Sequence, residues 1–195
     1  TRLAAETPRT DLAFNAPTDQ EIDVEINRYE EEQLFGLTDP QRAAVKAAHK
    51  HRAFILAGYA GSGKTTVLKA ICDTVEAFGR RPIIMTLSGR AAKRAAEATD
   101  REAMTITRFL MQNDHPDQEP LPVNSVVIVD EASMLDAYTM WRLVMQINDK
   151  ARIILIGDPY QLPPINAGFV LNDIVKSGVI SHVELDVVRR QGKQS

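Results

Sequence analysis

The stretch "GYAGSGKTT" sets Gly58, Gly63, Lys64 and Thr65 at the spacing G-x-x-x-x-G-K-[ST]. Each residue type in it has a chemical reason. Glycines let successive backbone amides curl inward around an anion, and the start of a helix adds the positive end of its dipole. Lys64 then reaches the β- and γ-phosphates of a nucleotide, and the Thr65 hydroxyl takes a place in a Mg²⁺ shell. Ala60, Gly61, Ser62 and Thr66 complete the loop through their amides. The alternative is a glycine-rich turn before an ordinary helix start. Placement after an apolar run and before a helical one favours the cradle, with ATP and Mg²⁺ as its expected occupants.

"VVIVDEAS" supplies a second part. Asp130 ends an apolar strand where it can hold the metal shell, and Glu131 follows where it can orient and deprotonate a water. Adjacent carboxylates at a strand tip are costly unless a cation or proton shares their field. Simple phosphoryl transfer to another acceptor needs no such water base, so Glu131 points to hydrolysis. A third part is "GDPYQLPP", in which Gln161 stands three residues beyond Asp158 with Pro163 and Pro164 behind it. A carboxamide there can donate to a γ-phosphate and accept from its attacking water without changing charge. The prolines restrict the loop that carries it. Such a group feels the difference between triphosphate and diphosphate, the signal a motor uses.

These parts need a scaffold that brings strand ends together. Apolar runs at 53–57, 82–86, 125–129, 152–156 and about 180–185 have no polar face, which suits a buried parallel sheet. Helical patterns at about 39–50, 64–78, 89–98, 132–148 and 168–177 supply the crossovers. The expected fold is α/β, a doubly wound parallel sheet. In the fourth of these helices Met140, Leu143, Val144 and Ile147 make the core stripe, with Trp141 beside it and expected to pack. "MQNDHPDQEPLPVN" reads as a loop. Residues 1–36 read as a lead-in followed by an acidic amphipathic helix that starts at a Thr18/Glu21 capping box, carries Ile22, Ile26 and Tyr29 on one face and ends near Gly36.

A hydrophobic fraction of 44% in 195 residues is enough for a real core in one domain. No apolar run approaches the roughly 18 to 20 residues of a membrane span, and the first residues lack the grading of an export signal. The single cysteine, Cys72, lies at helical spacing with Leu68 and Val75, so it is expected to pack as a small hydrophobe in a reducing, cytoplasmic setting. The four histidines show no ligand spacing. A net charge of −3 hides an uneven distribution, acidic over 18–33 and basic or mixed over 46–52, 79–82 and 89–101.

Taken in order, "GYAGSGKTT", "SGRAAKRAAEAT", "MTITRFL", "VVIVDEASMLD", "LIGDPYQLPPINAG" and "RRQ" resemble the motifs of superfamily 1 DNA helicases of the RecD type, relatives of which include the exodeoxyribonuclease V alpha subunit and conjugative relaxase-helicases. The resemblance runs from about Leu37 to the C-terminus and implies a RecA-like P-loop domain. It implies that Gln41 in "LTDPQ" reads the adenine edge, although Thr38 and Gln41 also fit a capping box around Pro40. It implies that Gly89, Arg90 and Thr105 touch single-stranded DNA, and that Arg190 reaches the γ-phosphate. Arg90, Lys93 and Arg94 also fit a solvated helical turn. The usual Pro-Thr-Gly-Arg is here Leu87-Ser88-Gly89-Arg90, a usual His is Thr107, and Arg189 replaces an aromatic, all on the DNA side.

The resemblance further implies single-stranded DNA, a second RecA-like domain and nuclease or relaxase subunits as partners, with no membrane. Residues 37–195 read as a first motor domain with no second following, which should not unwind DNA by itself. Two rival readings remain: a nucleotide-binding regulatory or docking module without turnover, and a P-loop ATPase acting on protein or small molecules. "GDPYQLPP" and "GRAAKR" speak against the second.

Overall fold

A run such as Ser125-Val-Val-Ile-Val has no polar face to offer water, so its strand must be covered on both sides. The computed structural model, which describes residues 16–113, 121–147, 150–161 and 166–186, meets that need with one six-stranded sheet. Its strands are β1 (Ala53–Gly58), β2 (Arg81–Thr86), β3 (Ala103–Thr105), β4 (Ser125–Val129), β5 (Arg152–Gly157) and β6 (Ser181–Leu185). They lie in the order β3-β2-β4-β5-β1-β6, and every pairing is parallel. β1, β4 and β5 are buried along their whole length.

Alternate residues of each strand face opposite layers. Phe54, Leu56, Ile84, Ile128 and Ile154 pack with α1 (Asp19–Gln33), α2 (Asp39–Lys50), α3 (Lys64–Ala77) and α4 (Gly89–Thr99). Ile55, Ile83, Met85, Val127 and Leu155 pack with α5 (Ile106–Asn113), α6 (Ala137–Gln146) and α7 (Val170–Ser177). The expected doubly wound α/β layer is the observed one. Cys72 is fully buried between Leu68 and Val75, and burial pushes its thiol up to about 12. Among the described residues no helix is long and apolar enough to cross a membrane.

No break in packing falls at residue 36. Ile22, Ile26 and Tyr29 of α1 belong to the same core as Leu68 and Ile71 of α3. The Thr18/Glu21 capping box forms, with the Thr18 amide donating to Glu21 Oε2 at 2.7 Å. The acidic face of α1 meets the basic face of α2: Arg42 pairs with Glu30 at 2.6 Å and Lys46 with Asp23 at 2.7 Å. Each such partly exposed pair contributes little stability, at most about 1 kcal/mol.

Three expectations are corrected. The helix expected over 132–148 is a short 3-10 turn, Ala132–Met134, then α6 from Ala137 to Gln146. Asp136 interrupts it because its Oδ1 accepts from the Thr139 amide at 2.8 Å, the geometry of an N-cap. Trp141 does not pack into the core: it is 58% exposed, tilted against Tyr138 with ring centroids 6.0 Å apart. β3 and α5 have no counterpart in the periodicity reading, and α5 takes in Met111, Gln112 and Asn113, the first residues of the expected loop. Residues 114–120 of that loop lie outside the described residues, as do residues 1–15.

His49 is buried on α2, and a ring nitrogen lies 2.9 Å from Thr74 Oγ1. Burial, with the nearby charges of Arg152 and Arg80, pushes its imidazole from 6.5 down to about 3. The unfolded chain therefore takes up a proton that the folded chain refuses. Stability should fall as pH drops from about 6.5 toward 3, by up to about 1.4 kcal/mol per pH unit from this group. His49→Leu should cost stability at pH 7 through the lost Thr74 contact, yet lose less on going to pH 5 than the parent. Thermal melts at the two pH values measure this; parallel losses in both proteins would remove His49 as the cause.

Candidate nucleotide site at the carboxyl edge of the sheet

In a parallel sheet every strand ends at the same edge, so loops far apart in sequence become neighbours. From β1 outward across β5, β4, β2 and β3, that edge carries the 58–64 loop, the 158–161 turn, Asp130-Glu131, the start of α4 and Thr105. Apart from Gln41 on α2 and Arg190 outside the described residues, the expected nucleotide groups and the expected DNA groups thus occupy adjoining stretches of one edge.

The loop from Gly58 to Lys64 turns through left-handed backbone at Gly61 (φ +80°) and Gly63 (φ +90°). A Cβ at Gly63 would also collide with the Gln41 side-chain nitrogen. The first turn of α3 leaves the amides of Lys64, Thr65 and Thr66 without intrahelical partners. Lys64 folds back over its own loop, its Nζ donating to the carbonyls of Gly58 at 2.6 Å and Tyr59 at 2.8 Å. Burial lowers its pKa, and the charges of Asp158 and Asp130 oppose that. Ser62 Oγ is buried with no protein partner. Free amides, an orphaned hydroxyl and a partly desolvated ammonium fit a polyanion with an associated cation. A nucleotide-bound Mg²⁺ draws only one or two ligands from the protein, and Thr65 and Asp130 are of the right type.

Asp130 continues β4, its amide bonded to Met85 O at 2.9 Å. Burial raises its carboxyl pKa, helped by the neighbouring Glu131 and opposed by the Glu131 amide that donates to its Oδ1. Glu131 sits in left-handed backbone at φ +57°, unusual for a residue with a side chain. Its Oε1 accepts from Arg94 Nη2 of α4 at 2.8 Å. Ser133, buried in the turn that follows, accepts from the Asp158 amide at 2.7 Å. Gly157 permits that approach, since a Cβ there would lie 2.7 Å from Ser133 Oγ and 2.9 Å from its nitrogen.

Gln41 forms the capping box of its local reading and lies beside the 58–64 loop. Its Oε1 accepts from the Thr38 amide at 2.9 Å, as a capping box requires, while its nitrogen rests against Gly63. Gln161 is exposed in a turn after β5, its amide donating to Asp158 O at 3.1 Å. Gly89 and Arg90 are exposed at the start of α4, which Ser88 caps by accepting from the Ala91 amide at 3.1 Å. Thr105 ends β3, and its hydroxyl accepts from the Arg108 amide at 3.2 Å, so it already has a structural use at the start of α5. Arg190, Pro163 and Pro164 lie outside the described residues.

Sequence reasoning gave no role to Asp158, Ser133, Tyr59 or Tyr160. Tyr59 of the cradle and Tyr160 of the β5 turn stack at 5.5 Å with planes 16° apart, which ties the two loops together. A signal was present, since both tyrosines sit inside quoted motifs, but pairing them needs the adjacency of β1 and β5.

A family model described as AAA domain matches residues 36–195. The ATP-dependent RecD2 DNA helicase of Deinococcus radiodurans is 34% identical over 164 residues, which take in 82% of this chain and 22% of that protein. RecBCD enzyme subunit RecD of Mycobacterium tuberculosis is 35% identical over 167 residues, covering 70% of this chain and 28% of that one. Conjugal transfer protein TraA of Agrobacterium fabrum is 34% identical over 160 residues, 80% of this chain and 14% of its own. The chain therefore spans less than a third of the length of these relatives. Pif1 helicase from Candida albicans shares the fold, with a TM-score of 0.57 over 80% of this chain and 41% of that one at 18% identity. The six-stranded parallel sheet of this chain is the RecA-like P-loop architecture. The chain belongs to the AAA domain family and resembles, within it, the RecD-type superfamily 1 helicases.

Proposed function

We propose that this chain is the ATP-binding and ATP-hydrolysing first motor domain of a DNA helicase, coupling hydrolysis to movement along single-stranded DNA together with a second RecA-like domain. The supporting observation is the edge itself: Lys64, Thr65, Asp130, Glu131 and the Asp158–Gln161 turn stand on neighbouring strand ends, with the exposed start of α4 beside them. In this reading the amides of residues 60–66 and the Lys64 ammonium hold the phosphates. Thr65 and Asp130 would hold Mg²⁺, which when bound supplies charge to the phosphate oxygens. Glu131 takes a proton from the attacking water as the γ-phosphorus to bridging-oxygen bond breaks and ADP departs. Gln161 contacts the γ-phosphate or that water, Arg190 offsets the developing charge, and Gln41 contacts the adenine edge. Gly89, Arg90 and Thr105 touch the DNA strand.

The test is hydrolysis of ATP by the full-length protein with and without single-stranded DNA. Turnover that rises with DNA, and loses that rise as salt increases, is the expected result. Nucleotide binding with no turnover under either condition would leave the regulatory, docking-module reading.

A further inference from the structure

The contact between Arg94 and Glu131 joins two parts of the edge that otherwise have separate tasks. Glu131 has little backbone freedom: its φ and ψ are +57° and 33°, and its amide is held by Asp130 Oδ1 at 2.9 Å. What remains adjustable is the direction of its carboxylate. That direction is set by Arg94, 37 residues earlier in sequence, through the 2.8 Å contact. Strand order says which way this pulls. β2, which leads into α4, flanks β4 on the side opposite β5 and β1, so the guanidinium draws the carboxylate away from the Lys64 loop.

Arg94 is also placed to sense α4. Ala91, Ala92 and Ala95 are buried and fasten the helix, while Arg90, Lys93 and Arg94 are exposed. Arg94 follows Arg90 by four residues, one turn along the same face. Lys93 is engaged with Glu97 at 3.9 Å, a loose surface pair. The Arg94 pair is itself open to solvent, with side chains 65% and 40% exposed, so an arriving polyanion can compete for it.

We propose that Arg94 is a positioning residue for Glu131. Without nucleic acid it holds the carboxylate on the β2 side; phosphates of a single strand on the exposed start of α4 draw the guanidinium off and free Glu131 to meet the water. The inference rests on the hydrolytic reading above and supplies a physical route by which DNA would stimulate turnover.

Steady-state hydrolysis by the full-length protein, with and without oligothymidylate, tests it using Arg94→Ala, Arg94→Lys and Glu131→Gln. Arg94→Ala should raise the DNA-free kcat about two- to fivefold, the scale of a half-exposed ion pair. KM for nucleotide and the melting temperature should stay unchanged, and the ratio of stimulated to DNA-free turnover should shrink. Arg94→Lys, which keeps the charge but not the planar fork, should fall between. Rising ionic strength should increase the DNA-free kcat of the parent and leave that of Arg94→Ala flat. A DNA-free kcat at or below the parent's in Arg94→Ala would overturn the proposal while a DNA-stimulated, Glu131-dependent parent left the motor reading standing. A parent that oligothymidylate does not stimulate would overturn both.

Discussion

Lys64→Ala should abolish retention of nucleotide: Kd for ATP is expected to rise roughly 30- to 1,000-fold, the equivalent of losing about 2–4 kcal/mol from a charged pair in a partly desolvated site. The expectation rests on where the ammonium lies. It is bound to the carbonyls of Gly58 and Tyr59 at 2.6 and 2.8 Å, inside the curve of the loop, with Asp130 and Asp158 close enough to influence its charge. Three donors on one nitrogen let it keep a loop carbonyl while turning another donor to phosphate. Removing it therefore takes away a ligand contact and a clasp on the loop together. Calorimetric titration with ATP measures the first, and a thermal melt without nucleotide the second. Binding unchanged within a factor of about three would remove the cradle assignment, whatever the melt showed.

Glu131→Gln separates binding from chemistry. The amide has the shape of the carboxylate, can still accept from Arg94, and keeps the left-handed backbone in place, but it cannot take a proton. Nucleotide affinity should stay within a few-fold of the parent, while kcat falls by about 10²–10⁴, the usual share of a general base. Single-turnover hydrolysis in the presence of single-stranded DNA is the measurement. A variant that still turned over at the parent rate would move proton acceptance to another group, with Asp130 excluded if it is occupied by the metal. Because the pair with Arg94 survives this substitution, its result does not depend on whether that contact regulates the site.

The two variants differ in what made them foreseeable. Lys64 and its glycines lie within one short stretch, and the hydrogen bonds of the Lys64 ammonium go to the carbonyls of Gly58 and Tyr59 in that same stretch, so the spacing was readable without the fold. The strands were legible for a related reason. A strand in the middle of a parallel sheet is buried on both faces, and "SVVIV" and "RIILI" meet that with unbroken apolar runs after a single polar first residue, Ser125 or Arg152, each of which is buried as well. β3 escaped notice because three residues at a sheet edge are too few to show a period. The helix expected over 132–148 failed at Asp136, whose capping role is supported from a distant loop: Asn166 Nδ2 donates to its Oδ2 at 3.1 Å, and the Ala137 amide to Ala167 O at 3.2 Å.

By itself, then, the sequence determined an α/β domain with a glycine-rich loop ahead of Lys64, paired acids at a strand tip and a carboxamide beyond another strand, because each of these is encoded in contiguous residues. Tertiary structure alone decided which of them meet. The order β3-β2-β4-β5-β1-β6 puts Arg94 on Glu131, Ser133 on the Asp158 amide, Tyr59 on Tyr160 and Gln41 against Gly63. Helix packing likewise sets the acids of α1 against the bases of α2, and Trp141 faces solvent. Hydrophobic pattern says that a strand is buried, but it does not say beside which other strand, and contacts between distant side chains follow from that adjacency.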